Sequence, residues 1–192
     1  MTDDLVIDKE RTALVVIDLQ KGIASRPTAP HDSRTVIANA ARLADVFRKN
    51  KMPVFLVRVA TTDADGLKPA ADEQWSTPAS MPADWSELVL ELKAQPSDVI
   101  ITKKQWGAFY GTELDLQLRR RKIDTIVLCG ISTNVGVEST ARFAYEYGYQ
   151  QVFAEDAMSS MTAQLHANTV GSVFRRIGRV RSTDGILQAL SD

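Results

Sequence analysis

Apolar residues in this chain come in short β-branched runs, each followed by a stretch in which they recur at helical spacing. ALVVIDLQ (13–20) is almost continuously apolar up to Asp18. Such a run suits a strand buried on both faces, as in a parallel sheet. Ser33 can cap a helix to about Asn50, in which Val36, Ile37, Ala40, Leu43, Ala44 and Phe47 form one apolar stripe. The same alternation predicts strands at 54–59, 98–103, 123–129 and 151–157, and a short one at 178–181. Helices are predicted at 84–94, 112–121, 135–147, 162–175 and 183–190. Strands alternating with helices imply a mostly parallel sheet with helices on both faces, an α/β class fold.

Length and composition narrow this picture. A chain of 192 residues with 44% apolar and 24% charged residues is expected to form a single globular domain spanning 1–192. The net charge of −1 gives no basic face, so neither nucleic acid nor a membrane is expected as a partner. RRRK at 119–122 falls at a helix end, where cations suit the dipole. With one cysteine no internal disulfide forms, and a cytoplasmic location is expected. The start, MTDDLVIDKE, is acidic and lacks the apolar stretch of a signal or membrane segment. Residues 60–83, rich in Pro, Gly and small polar side chains, form a long loop of the kind that covers or lines a site. Trp75 and Trp85 lie in or beside it. Trp85 is read as a loop anchor; Trp75 is open between anchor and ligand contact.

Candidate chemistry gathers where strands end. Parallel strands bring their carboxyl ends to one edge, where open α/β sheets bind ligands. Asp18, Lys103 and the Ser132–Asn134 turn all sit there. A carboxylate beside an ammonium can act as an acid–base pair, although an ion pair closing the sheet edge would look the same. Backbone N–H groups opening the next helix would favour negative charge. No GxGxxG, Walker loop or GxSxG elbow is present. His31 and His166 have no metal-ligand spacing and read as surface or capping residues. Glu155 and Asp156 follow the fifth strand; Asp156 reads equally as a turn or helix cap.

ALVVIDLQKGI (13–23), TKKQWGAFYGTELD (102–115), CGISTNVGVESTARFAYEYGY (129–149) and VFAEDAMSS (152–160) together resemble the isochorismatase-like hydrolases, a group holding nicotinamidases, carbamoylsarcosine amidases and isochorismatases. The resemblance runs through nearly the whole chain in order. It implies a three-layer α/β/α sandwich around a six-stranded sheet. It also implies that Asp18 is the catalytic aspartate and Lys103 the lysine, with Lys104 second choice. The nucleophilic cysteine of the amidases falls at Gly136, which closes the covalent route. Cys129, on the strand, cannot replace it. Members commonly have a non-proline cis peptide just before this position, here Asn134–Val135. The nicotinamidase metal site uses an Asp and two His after the second strand. Residues 60–86 contain no histidine, so no metal and no cofactor are expected. True isochorismatases also have glycine here, with a tyrosine and a histidine near the positions of Ser132 and Asn134 that this chain lacks.

The resulting expectation is a hydrolase of a small molecule that uses no cysteine nucleophile. Asp18 is acid or base and Lys103 its electrostatic partner. Backbone at Val135 and Gly136 lines the oxyanion side, and Trp106, Phe109, Thr133 and Asn134 line the pocket. The alternative is a catalytically silent small-molecule-binding member of the family. A homo-oligomer, dimer or larger, is expected from the aromatic helix end FAYEYGY (143–149).

Overall fold

The computed structural model describes residues 5–62, 64–72 and 81–191; Met1–Asp4 of the acidic start and Trp75 lie outside them. The predicted runs become strands β1 (Thr12–Ile17), β2 (Val54–Val59), β3 (Val99–Lys103), β4 (Thr125–Ile131), β5 (Gln150–Ser159) and β6 (Arg179–Arg181). They form one sheet in the order β3-β2-β1-β4-β5-β6, and all five pairings are parallel. The helices are α1 (Lys21–Ala24), α2 (Ser33–Lys49), α3 (Leu114–Arg120), α4 (Glu138–Glu146), α5 (Ala163–Thr169), α6 (Arg175–Ile177) and α7 (Thr183–Ser191).

Alternate residues of each strand serve opposite faces, both of them covered, which explains why the runs carry few polar positions. Leu14, Val16, Leu56, Val127 and Cys129 pack against Val36, Leu43 and Phe47 of α2 and Ile186 of α7. Val15, Ile17, Phe55, Leu128 and Phe153 pack the other way, against Leu114 and Leu118 of α3 and Ala141 and Ala144 of α4. This is the expected three-layer α/β/α sandwich. Strand order runs outward in one direction from β1 and in the other from β4. The crevice at their carboxyl ends is therefore the switch point where such sheets bind ligands. Among the described residues no helix is long and apolar enough to cross a membrane.

The structure corrects several predicted elements. Residues 84–94 are not an α-helix but turns leading into one 3-10 turn, Leu90–Leu92, ended by Lys93 at φ 46°. Lys21 holds this segment along α1 through Asp84 (2.9 Å) and Glu87 (2.8 Å), so its course follows tertiary contacts rather than helix periodicity. α2 is capped by Asp32, whose Oδ1 accepts from the Thr35 N–H at 2.7 Å, one residue earlier than Ser33. The predicted helix 162–175 is interrupted by a wide π-type turn at Val170–Phe174.

Trp85 anchors its loop as expected. Its carbonyl accepts from the Gly22 N–H (3.0 Å), and its ring lies where a Cβ on Gly22 would stand 2.0 Å from Cδ1. Gly22→Ala is expected to expel the ring and cost about 1–3 kcal/mol, the usual range for overpacking. Denaturant unfolding with a near-ultraviolet spectrum checks this. An unchanged midpoint and unchanged tryptophan bands would show that the loop is held without the ring.

Candidate active site

Asp18 follows the last residue of β1. It adopts a left-handed conformation (φ 53°), which Asp tolerates better than most residues. Its N–H donates to the Val57 carbonyl at 2.9 Å and its own carbonyl accepts from Gln20 N–H at 2.8 Å, so the backbone turns sharply at the sheet edge. Lys103 ends β3, two strands away in the sheet. Its side chain crosses the end of β2 to place Nζ 2.8 Å from Asp18 Oδ2, and both residues are buried. Nζ also donates to the carbonyls of Gln105 (3.1 Å) and Trp106 (2.7 Å), so three acceptors hold the ammonium.

The two carboxylate oxygens of Asp18 differ. Oδ2 faces Lys103, whereas Oδ1 is buried without a hydrogen-bond partner among the described residues. Burial pushes the Asp18 carboxyl up to about 6, against the opposing pull of Lys103. An acid with such a value can be protonated or ionised near neutral pH, as proton transfer requires.

β4 reaches the same edge and leads into a wide π-type turn, Thr133–Val137, before α4 begins. Such turns recur at functional sites. Gly136 sits in it against the pair: a Cβ built there would lie 2.9 Å from Asp18 Oδ2, 3.0 Å from Ile17 Cγ2 and 3.5 Å from Lys103 Nζ. The sheet edge therefore does bring Asp18, Lys103 and Gly136 together. Two expectations about this turn are corrected. The non-proline cis peptide is Ile131–Ser132, where β4 ends, rather than Asn134–Val135. The Val135 N–H is not free to face a ligand, because it donates to the Ser132 carbonyl at 3.1 Å within the turn.

The remaining predicted residues divide. Thr133 is fully buried, with its hydroxyl 2.9 Å from His166 Nδ1. Asn134 Oδ1 accepts from the Ser160 hydroxyl at the end of β5. Trp106 contributes its carbonyl to Lys103, while its side chain is exposed. Phe109 is a core residue rather than a pocket wall, its ring set against Tyr147 and Tyr149 at 5.4 and 5.6 Å. Lys104 lies outside the pair, bonded to the Ala60 carbonyl and to Asp65, which leaves Lys103 as the lysine facing Asp18. The Cys129 thiol is buried and pushed up to about 12, mainly by burial, and is inert to thiolate chemistry.

Some positioning residues escape sequence reasoning. Gln20 is buried two residues after Asp18. It donates to the Val59 carbonyl (3.0 Å) and accepts from the Val59 N–H (2.8 Å), fixing the end of β2 beneath the lysine. A polar residue closing an apolar run was the available signal. Thr140 accepts from the Ala108 N–H (3.1 Å) and donates to the Gly136 carbonyl (2.7 Å), joining the aromatic loop to the turn. His166 is neither a surface nor a capping residue. α5 directs it inward, with Nε2 2.9 Å from Glu155 Oε1. Asp156 caps α7, accepting from the Thr183 N–H and hydroxyl at 2.6 and 2.7 Å.

A parallel α/β sheet with a buried carboxylate–ammonium pair at its switch point defines the class of protein. The Isochorismatase domain family matches residues 12–185. The chain is 53% identical over 191 residues to "Uncharacterized isochorismatase family protein YwoC" of Bacillus subtilis (strain 168), covering 98% of each. It is 51% identical over 189 residues to the similarly described YecD of Escherichia coli O157:H7, covering 97% of this chain and 100% of that one. The solved structure of an isochorismatase family protein from Burkholderia thailandensis superposes with a TM-score of 0.93 at 42% identity, covering 97% of this chain and 98% of that one. The chain belongs to the isochorismatase family.

Proposed function

We propose that this protein hydrolyses a small-molecule vinyl ether by proton transfer from Asp18, without a covalent intermediate. The observation that carries this reading is the buried Asp18–Lys103 contact of 2.8 Å, with Asp18 Oδ1 beside it lacking a hydrogen-bond partner among the described residues. Gly136 takes the position of the amidase nucleophile and supplies no reacting atom. Protonated Asp18 delivers its proton to the terminal enol carbon. The ether oxygen then shares the positive charge of an oxocarbenium ion. Water adds to the carbon that bears the ether oxygen and returns a proton to the Asp18 carboxylate. The hemiketal so formed breaks its carbon–oxygen bond to give an alcohol and a ketone. Lys103 stabilises ionised Asp18 between these steps and holds its orientation.

The reading assigns the protein to the cytoplasm and to a homo-oligomer. The exposed aromatic side chains at the end of α4, Phe143, Tyr145 and Tyr147, with Trp106 and Tyr110 also exposed, support the latter.

The test is a screen of vinyl ethers, isochorismate among them, beside a panel of amides, with wild type and Gly136→Cys in parallel. Wild type is expected to turn over a vinyl ether and no amide. Its kcat/KM should be flat below about pH 6 and fall roughly tenfold per unit above it, because an acid catalyst is lost as Asp18 ionises through its raised pKa. A profile that rises through the same region would make Asp18 a base and overturn the vinyl ether mechanism. No wild-type turnover, with amidase activity appearing in Gly136→Cys, would support a silent binding member instead.

A further inference from the structure

We propose that His31, Glu155 and His166 form a divalent-metal site, separate from the Asp18–Lys103 pair, that takes Zn2+ or a similar first-row cation. Among the described residues, these three offer ligand atoms that all lie within 4.8 Å of one another. Both histidines turn Nε2 to the same carboxylate oxygen, Glu155 Oε1, at 3.3 Å for His31 and 2.9 Å for His166. Metal–ligand distances of about 2.1 Å place neighbouring ligand atoms about 3.0 Å apart in an octahedron and about 3.4 Å in a tetrahedron, so both of these contacts match the edges of a coordination sphere. Two imidazoles and a carboxylate are a donor set suited to Zn2+ and its neighbours.

Each ligand comes from a different element, and each is pinned. His31 lies in the loop before α2, tied to the end of β5 by paired backbone bonds between Ala29 and Ser160 (2.8 and 3.1 Å). Glu155 lies on β5 and His166 on α5, whose N-cap Thr162 accepts from Leu165 N–H at 3.2 Å. The second nitrogen of His166, Nδ1, faces the Thr133 hydroxyl at 2.9 Å. An Nδ1–H donated to that oxygen leaves Nε2 as the lone pair for a metal, the outer-shell arrangement that orients ligating histidines. Glu155 and His166 also line a hollow of about 530 Å³ with Pro30, Arg175 and Arg181, through which a cation and further ligands could enter. The two arginines oppose a bare cation and suit one carrying an anionic ligand. This site is not in the loop after the second strand, where nicotinamidases hold their metal and where residues 60–86 of this chain contain no histidine.

The experiment is calorimetric titration of chelator-treated, full-length protein with Zn2+, followed by the visible absorption spectrum with Co2+. Wild type is expected to bind one equivalent and to give a Co2+ spectrum of low, non-octahedral symmetry or of mixed N/O ligation. His31→Ala, a loop substitution, and Glu155→Gln, which keeps the side-chain shape, should each weaken binding by more than the roughly 10–100-fold that an outer-shell loss costs. Asp18→Asn should bind as wild type does, so failure here is distinct from failure of the hydrolase reading. No binding by folded wild type at millimolar Zn2+, or binding that neither His31→Ala nor Glu155→Gln alters, would overturn the proposal.

Discussion

Asp18→Asn is expected to lower kcat on a vinyl ether by roughly 10²–10⁴-fold, the range that a positioned proton donor contributes. Asparagine is the informative replacement because its side-chain oxygen can still accept from Lys103 Nζ, now at 2.8 Å from Asp18 Oδ2. What it loses is the acidic proton and the negative charge. Lys103 keeps the carbonyls of Gln105 and Trp106 as acceptors, so the ammonium is not stranded entirely. Removing one partner of a buried pair nevertheless destabilises, by up to about 3–5 kcal/mol, so the variant must be compared by unfolding as well as by rate. The decisive readout is the pH profile. The residual activity of Asp18→Asn should lose the fall above about pH 6 that wild type shows. Unchanged turnover in a folded variant would remove Asp18 from the proton transfer.

Gly130→Ala is expected to be the most damaging single substitution at the sheet edge, costing about 4 kcal/mol or more, in the class of exceptional destabilisations. Gly130 has φ 125°, a conformation that favours glycine, and it pairs with Ile17 across β1 and β4. A Cβ there would lie 2.0 Å from the Ile17 carbonyl oxygen and 2.7 Å from both its carbonyl carbon and its nitrogen. These are backbone atoms of the central strand, and they cannot swing aside. The register between β4 and β5 also shifts at this point, as glycines inside strands often mark. Gly136 differs, because the atoms around it are ends of side chains. Urea unfolding and soluble yield measure the effect. A midpoint equal to wild type would mean that the two strands can separate here, and would weaken the account of how Asp18 is held.

These two sites illustrate what sequence reading can reach. Asp18 and Lys103 are legible because each ends a β-branched run with a charge, and parallel strands bring such ends to one edge. The fold follows from the same runs, since all five pairings are parallel and both faces are apolar. The Thr133–His166–Glu155 contacts are not legible. Thr133 and His166 are 33 positions apart, and a histidine followed by small residues on a short helix has no local pattern that tells inward from outward. Phe109 fails for a related reason: an aromatic residue in a loop beside a site reads the same whether it faces ligand or core. The segment 84–94 carries apolar spacing that suits a helix. Its path is set instead by Lys21 and Gly22, far away in sequence.

The strand order has a consequence for how the chain is made. Of the six strands β1 leaves the ribosome first, yet one of its two edges is completed only by β4, with Thr12 waiting for Thr125. At synthesis rates of about 5–20 residues per second, that interval lasts roughly 6–23 s. Throughout it, a strand that is apolar from Ala13 to Ile17 has an open edge, and the aspartate that follows it has neither Lys103 nor the Gly136 turn beside it until those segments emerge. A ribosome stalled before β4 is therefore expected to display a strand edge open to pairing with other chains.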